Sequence, residues 1–98
     1  MNIKKSQNAD VMKIALEGRL DTTTAPALEA EVKASLDGVS HLVFDMEKLD
    51  YVSSAGLRVL LSAQKAMAKK GDMKLINVNE IVMEIFEVTG FSDILTIE

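Results

Sequence analysis

Apolar and polar positions alternate cleanly only once along this chain, between residues 11 and 18. There Met12, Ile14 and Leu16 fall on one side and Val11, Lys13, Ala15 and Glu17 on the other, the period-two pattern of a half-buried strand. A short extended segment, residues 2–6, precedes it across a turn at Gln7-Asn8-Ala9-Asp10. The two strands are expected to be antiparallel neighbours, with the alternative that the first reaches across to strand 3. After a loop at 18–24, Leu28, Val32 and Leu36 recur at i,i+4 and predict a helix over 25–37. Pro26 sits in its first turn, Thr23 or Thr24 is its cap, and Gly38 is its stop. Glu29 and Lys33 pair on its outer face.

The continuous apolar run His41-Leu42-Val43-Phe44 predicts a short central strand covered on both faces. It is expected to stop at Asp45 and give way to a polar turn. The next helix begins after Ser53 and Ser54, with a polar stripe of Arg58, Ser62, Lys65 and Lys69, and closes at Lys69-Lys70-Gly71. Residues 73–78 predict a fourth strand, and Asn79 caps a helix over 80–89 with Val78 and Met83 as a hydrophobic staple. That helix has a broad apolar face of Ile81, Val82, Ile85, Phe86 and Val88, and Gly90 ends it. Residues 94–97 predict a last short strand. The order ββαβαβαβ implies an α/β fold, with a small, mixed, mostly parallel sheet and helices packed beside it. The 98 residues are expected to form a single domain, 1–98.

Composition narrows the chemistry more than the fold. Without cysteine there is no disulfide framework and no thiolate metal site, and one histidine builds no imidazole cluster. The five glycines form neither a GxGxxG nor a Walker pattern, so no cofactor, metal or nucleotide site of its own is expected. A net charge of −4 with scattered basic residues argues against nucleic-acid binding. No signal peptide or membrane-inserting segment is read, which makes the cytoplasm the expected location.

Ser53 and Ser54 stand where a helix cap is needed, and one of them is explained by that alone. The same helix start also tolerates added negative charge, which makes either serine a candidate phosphoacceptor or anion site. Gly56 keeps the backbone there approachable. Asp21 and Asp45 each follow a strand, and in an open parallel sheet such ends share a rim, so Asp21, Asp45 and Ser54 are expected to be neighbours. The carboxylates either end strands and satisfy loop amides or serve as recognition charges, including ligands for a Mg²⁺ ion on a partner's nucleotide. Asp50 reads as a turn residue and His41 as a structural or surface residue. No GxSxG elbow is present, and no motif joins a nucleophile to a base, so a binding or switch module is favoured over an enzyme.

Three stretches, EGRLDTTTAPAL, DMEKLDYVSSAGLRVLL and GDMKLINVNEIVMEIFEVTGFSDIL, resemble the STAS domain, and most closely the free-standing anti-sigma factor antagonists. The resemblance spans essentially the whole chain. It implies a non-catalytic protein that binds a serine-kinase anti-sigma factor carrying ATP and Mg²⁺, frees the sigma factor, and lets go when phosphorylated until a serine phosphatase resets it. Carried over by motif, it implies Ser54 as the phosphoacceptor, and Asp21, Thr22, Ser53, Gly56 and Arg58 as partner-binding residues. Leu57 matches the family's leucine. The family's usual Asp-Ser-[Ser/Thr]-Gly is here Ser53-Ser54-Ala55-Gly56, which removes a carboxylate and offers Ser53 as a second acceptor. The alternative implied is a non-switching STAS subunit of a larger complex, such as a lipid transporter or a sensory assembly. Typical members carry a further C-terminal helix after the last strand. Without it, one sheet face is expected to be less covered, an exposed surface that would favour dimerisation, and the expected state is a monomer or a weak homodimer.

Overall fold

The computed structural model describes residues Met1–Glu98. Its frame is a four-stranded sheet in the order β1-β2-β3-β4, built from β1 (Asn2–Asn8), β2 (Val11–Leu20), β3 (His41–Val52) and β4 (Asp72–Ile76). β1 and β2 form an antiparallel hairpin around Ala9-Asp10, and β2, β3 and β4 run parallel. Between them come α1 (Ala25–Ser35) and α2 (Ser54–Ala68), with α3 (Glu80–Thr89) after β4. The mixed, mostly parallel sheet and the three helices are those the sequence predicts.

Only one sheet face is apolar. Met12, Ile14, Leu16 and Leu20 of β2, Leu42, Phe44, Met46, Leu49 and Val52 of β3, and Met73 and Leu75 of β4 all join one core cluster with the helices. Helix α1 contributes Leu28 and Val32, α2 contributes Leu57, Leu60, Ala63 and Met67, and α3 contributes Val82 and Phe86. The opposite face is closed by charge instead. Glu17 meets Lys4 and Lys48 at 3.6 and 3.4 Å, and Lys13 meets Asp45 at 3.6 Å. The expectation of a strand covered on both faces therefore fails for β3. Its Val43 is sheltered by neighbouring side chains on the open face rather than by a second helical layer.

β3 also departs from prediction in length. It does not stop at Asp45 but continues to Val52, twelve residues against the ten of β2. The register slips opposite Ala15/Glu17 and Gly18/Arg19, so β3 carries one extra residue at each place. These bulges put Glu47-Lys48 and then Asp50-Tyr51 outward as consecutive pairs while Met46, Leu49 and Val52 stay buried. What reads as a polar turn is a bulged strand. A second correction concerns 94–97, where a lone parallel bridge, Leu75 to Ile97, replaces the last strand. A short 3-10 turn, Phe91–Asp93, precedes it, and the Ile94 and Leu95 amides still donate back to the Phe91 carbonyl at 3.0 and 2.8 Å, so only the residues around Ile97 reach β4.

At the amino-terminal end of the parallel strands, His41 sits between two carboxylates. Its Nδ1 lies 2.8 Å from Asp72 Oδ1 and its Nε2 lies 4.0 Å from Asp10 Oδ2, so one ring ties the hairpin to β3 and β4. The hydrogen bond to Asp72, then its charge and that of Asp10, raise the His41 pKa above its ordinary value, against burial and Lys74. A raised folded-state pKa gives stability that is fully present below the unfolded value near 6.5 and is lost as pH rises through the folded value. Urea midpoints are thus expected to fall as pH rises above the unfolded value near 6.5 in the wild type. In His41→Gln that part of the slope should vanish, and an unchanged slope would remove His41 from the account.

Candidate functional site

The predicted site residues converge at the carboxyl end of β2 and β3. Leu20 pairs with Val52, and the Ser53 amide donates to the Leu20 carbonyl at 2.8 Å. That single bond fixes the Asp21 loop beside the start of α2. Gly56 completes the junction. A Cβ on it would stand 2.6 Å from Leu20 Cγ and 3.1 Å from the Leu20 carbonyl oxygen, so the helix approaches β2 this closely only because residue 56 has no side chain. Gly56 is buried, and the space it leaves is occupied by Leu20 rather than open to a partner. Thr22, Ala25, Pro26 and Glu29 of the α1 side and Ala55, Arg58 and Val59 of α2 line a shallow groove between the two helix starts.

The two serines are not equivalent. Ser53 is the N-cap of α2, half-buried, and its Oγ accepts from the Gly56 amide at 3.4 Å. Ser54 is the first helical residue, exposed, and its hydroxyl has no partner within the chain. The capping function assigned to one of the pair falls on Ser53, and the free hydroxyl is on Ser54.

Asp21 is held in place by its own loop. Its Oδ1 accepts from the Thr23 hydroxyl at 2.7 Å, the Thr23 amide at 3.0 Å and the Thr24 amide at 3.2 Å. Those bonds, the Thr23 hydroxyl first, lower its pKa against a smaller effect of burial, so the carboxylate is ionised at neutral pH. Oδ2 faces Arg19 Nε at 3.8 Å. Thr24 occupies the N-cap position of α1, but its hydroxyl does not cap the helix. It accepts from the Asp21 amide at 2.8 Å and donates to the Arg19 carbonyl at 2.9 Å, tightening the loop instead. The Asp-Thr-Thr-Thr string is an Asx-turn signal, and it is the cue that identifies Thr23 and Thr24 as the supports of Asp21.

Asp45 does not join this rim. It lies within β3 opposite Ala15, five residues and roughly 17 Å of strand before Leu20. Burial pushes its carboxyl up, but the Glu47 amide, Asn77 Nδ2 and Lys13 outweigh that and lower its pKa. It holds the outer sheet face together. Two residues outside the predicted set do belong near the site. The Arg19 guanidinium lies 4.4 Å from the centroid of the Tyr51 ring, linking β2 to β3 beneath the Asp21 loop. Their signal is positional, since Arg19 precedes Asp21 and Tyr51 precedes Ser53 by the same two residues on paired parallel strands.

Nothing at this corner brings an acid, a base and a nucleophile together, and no group of His, Asp or Glu side chains is arranged to hold a metal ion. No helix is long and apolar enough to cross a membrane. What the corner offers is a free hydroxyl, a fixed carboxylate and an unpaired cation on one accessible surface.

The family model described as the STAS domain matches residues 2–98. BtrV of Bordetella bronchiseptica, named as an anti-sigma factor antagonist, is 41% identical over 91 residues, which span 90% of this chain and 78% of BtrV. The crystal structure of an anti-sigma factor antagonist from Mycobacterium paratuberculosis superposes with a TM-score of 0.88 at 22% identity, over 98% of this chain and 83% of that one. The Bacillus antagonist SpoIIAA superposes in its unphosphorylated form with a TM-score of 0.84 at 19% identity, over 99% and 88% of the two chains. In its phosphorylated form the values are 0.76 and 18%, over 99% and 91%. At these identities the solved structures establish the shared fold, and the family model and BtrV establish descent. The protein therefore belongs to the STAS domain family, among its anti-sigma factor antagonists.

Proposed function

We propose that this protein is a phosphorylation-controlled switch acting on a serine-kinase anti-sigma factor in the cytoplasm. Unphosphorylated, it binds the kinase and thereby frees the sigma factor. Phosphorylated on Ser54, it lets go, and a serine phosphatase restores it. The observation that carries the choice of residue is the contrast between the serines. Ser54 presents an exposed, unbonded hydroxyl, whereas Ser53 Oγ is committed to the Gly56 amide. That a related fold has been solved in both unphosphorylated and phosphorylated forms supports the same reading.

In the transfer, Ser54 Oγ bonds to the γ-phosphorus of the partner's ATP while the bond from that phosphorus to the β–γ bridging oxygen breaks. ADP leaves and the hydroxyl proton passes to a base of the kinase. Asp21 supplies a fixed negative charge at the contact surface, on the side where the partner's nucleotide and Mg²⁺ would approach. Thr22 and Arg58 line the groove between the two helix starts, and Gly56 and Ser53 act through the placement of the helix start. The ion-paired outer sheet face lacks the apolar surface that a dimer through that face would need, which supports action as a monomer.

The test is to incubate the purified protein with its cognate kinase and ATP and to map the phosphate by mass spectrometry. Wild type and Ser53→Ala are expected to be labelled at position 54, and Ser54→Ala to remain unlabelled. Labelling at Ser53 alone, or at neither serine, would overturn the reading.

A further inference from the structure

Helix α2 differs from the rest of the chain in charge. The protein has 15 acidic residues and a net charge of −4, yet from Ser54 to Gly71 there is no acidic residue at all. Ser54, Arg58, Ser62, Lys65 and Lys69 follow one another at steps of four, four, three and four, and all are exposed. Ser54 thus heads a basic stripe. Arg58, Lys65 and Lys69 form no ion pair, although most of the charges on the sheet do. The two lysines lie toward the carboxyl end of the helix, where cations are favoured by the backbone dipole. Arg58 has no such reason to be where it is. It stands one turn into the amino-terminal half, toward the positive end, and although Glu29 lines the same groove the two form no ion pair.

Its stripe neighbours are Ser54 and Ser62, four residues before and four after it, and only Ser54 lies on the helix start. Residues at i and i+4 on a helix have their Cβ atoms about 5–6 Å apart, and an arginine placed after an anion at this spacing reaches it easily. A planar guanidinium also matches phosphate with two parallel N–H···O bonds, where an ammonium offers a point charge. We propose that Arg58 holds the phosphate of phosphorylated Ser54 in cis, and that doing so withdraws it from the groove it lines with Thr22, Pro26 and Glu29. The inference rests on the Ser54 reading above and adds its second half. Phosphorylation then changes the contact surface twice, by adding negative charge at Ser54 and by removing a cationic contact from the groove. The held phosphate is also screened by the guanidinium, which slows its removal by the phosphatase.

The experiment separates this from the identity of the kinase. Phosphoserine is installed at position 54 of the full chain by genetic encoding, in the wild type, Arg58→Lys and Arg58→Gln, and its second ionisation is followed by ³¹P NMR against pH. The wild type is expected to titrate roughly half a pH unit below Arg58→Gln, with Arg58→Lys between them, and the gap should narrow at about 1 M salt. Dephosphorylation of Arg58→Gln should be faster than that of the wild type. Equal titration midpoints in wild type and Arg58→Gln overturn the proposal. Because the phosphate is placed without a kinase, failure of any kinase to label Ser54 would sink the switch reading alone and leave this result standing.

Discussion

Ser54→Asp is expected to fold as the wild type does and to bind the cognate anti-sigma factor at least roughly 30-fold more weakly. Both halves follow from where Ser54 lies. As the first residue of α2 it faces free backbone amides, and an acidic side chain in a first turn is stabilised by them and by the helix dipole. The domain should therefore lose no stability. At the contact surface the balance is opposite. The new carboxylate adds to the negative charge that Asp21 already places at this end of the sheet, and burying it under a partner strands a charge without a match. Such a mismatch costs about 2–5 kcal/mol, and a full phosphate, with roughly −1.5 to −2 charge, should exceed the aspartate. Titration calorimetry alongside thermal melts checks both statements. A variant that binds normally would show that Ser54 lies outside the contact surface.

Gly56 gives the largest structural effect. Alanine there would bring a Cβ to 2.6 Å from Leu20 Cγ and 3.0 Å from its Cδ2, and Leu20 is fully buried with nowhere to turn. Overpacking of this kind costs about 1–3 kcal/mol, against a gain of up to about 1 kcal/mol from replacing glycine in a helix. The clash is expected to win by about 1–2 kcal/mol, lowering the melting temperature by roughly 4–8 °C per kcal/mol in a domain of this size. Gly56→Val, with two more methyl groups and a weaker helix gain, should fall further. The consequence reaches the site, because the contact with Leu20 is what sets the start of α2 beside the Asp21 loop. A stabilised Gly56→Ala would mean that the helix start is not pressed against β2 as described.

The sequence pattern carried most of the frame because the helices are marked at both ends. Pro26, the Ser53 cap, Asn79 and Gly90 each act at a helix boundary, and Asn79 accepts from the Val82 amide at 2.9 Å as a cap should. β3 was illegible beyond Asp45 because each bulge inserts a residue that breaks the period of two. Glu47-Lys48 and Asp50-Tyr51 look like turn chemistry until the partner strand is known. The same loss hid Met46, which is fully buried, and moved Asp45 from the expected rim to the middle of the sheet. Register is a property of two strands, and one sequence window cannot show it. At the site, Ser53, Ser54 and Asp21 could be found because each residue type has a local reason to be there. The lock between Gly56 and Leu20 could not, since those residues lie 36 positions apart in sequence and meet only through parallel pairing.

Helix α3 is only partly covered. Ile81 and Val88 are 64% and 79% exposed, although they belong to the apolar face that the sequence predicts. Val82 and Phe86 alone anchor that helix as fully buried residues, and its amino-terminal end is fastened to the bulged half of β3 by the Asn79 side chain, whose Nδ2 donates to the Leu49 carbonyl at 2.7 Å. The capped end thus takes over some of the positioning that a fully buried face would supply.

The central claim is that phosphate on Ser54 controls partner release, and one titration tests it most directly. The cognate anti-sigma factor is titrated with unmodified protein and with the same protein carrying phosphoserine at position 54. Tight binding of the unmodified form and at least roughly 30-fold weaker binding of the phosphorylated form is the predicted result. Equal affinity of the two forms would contradict it.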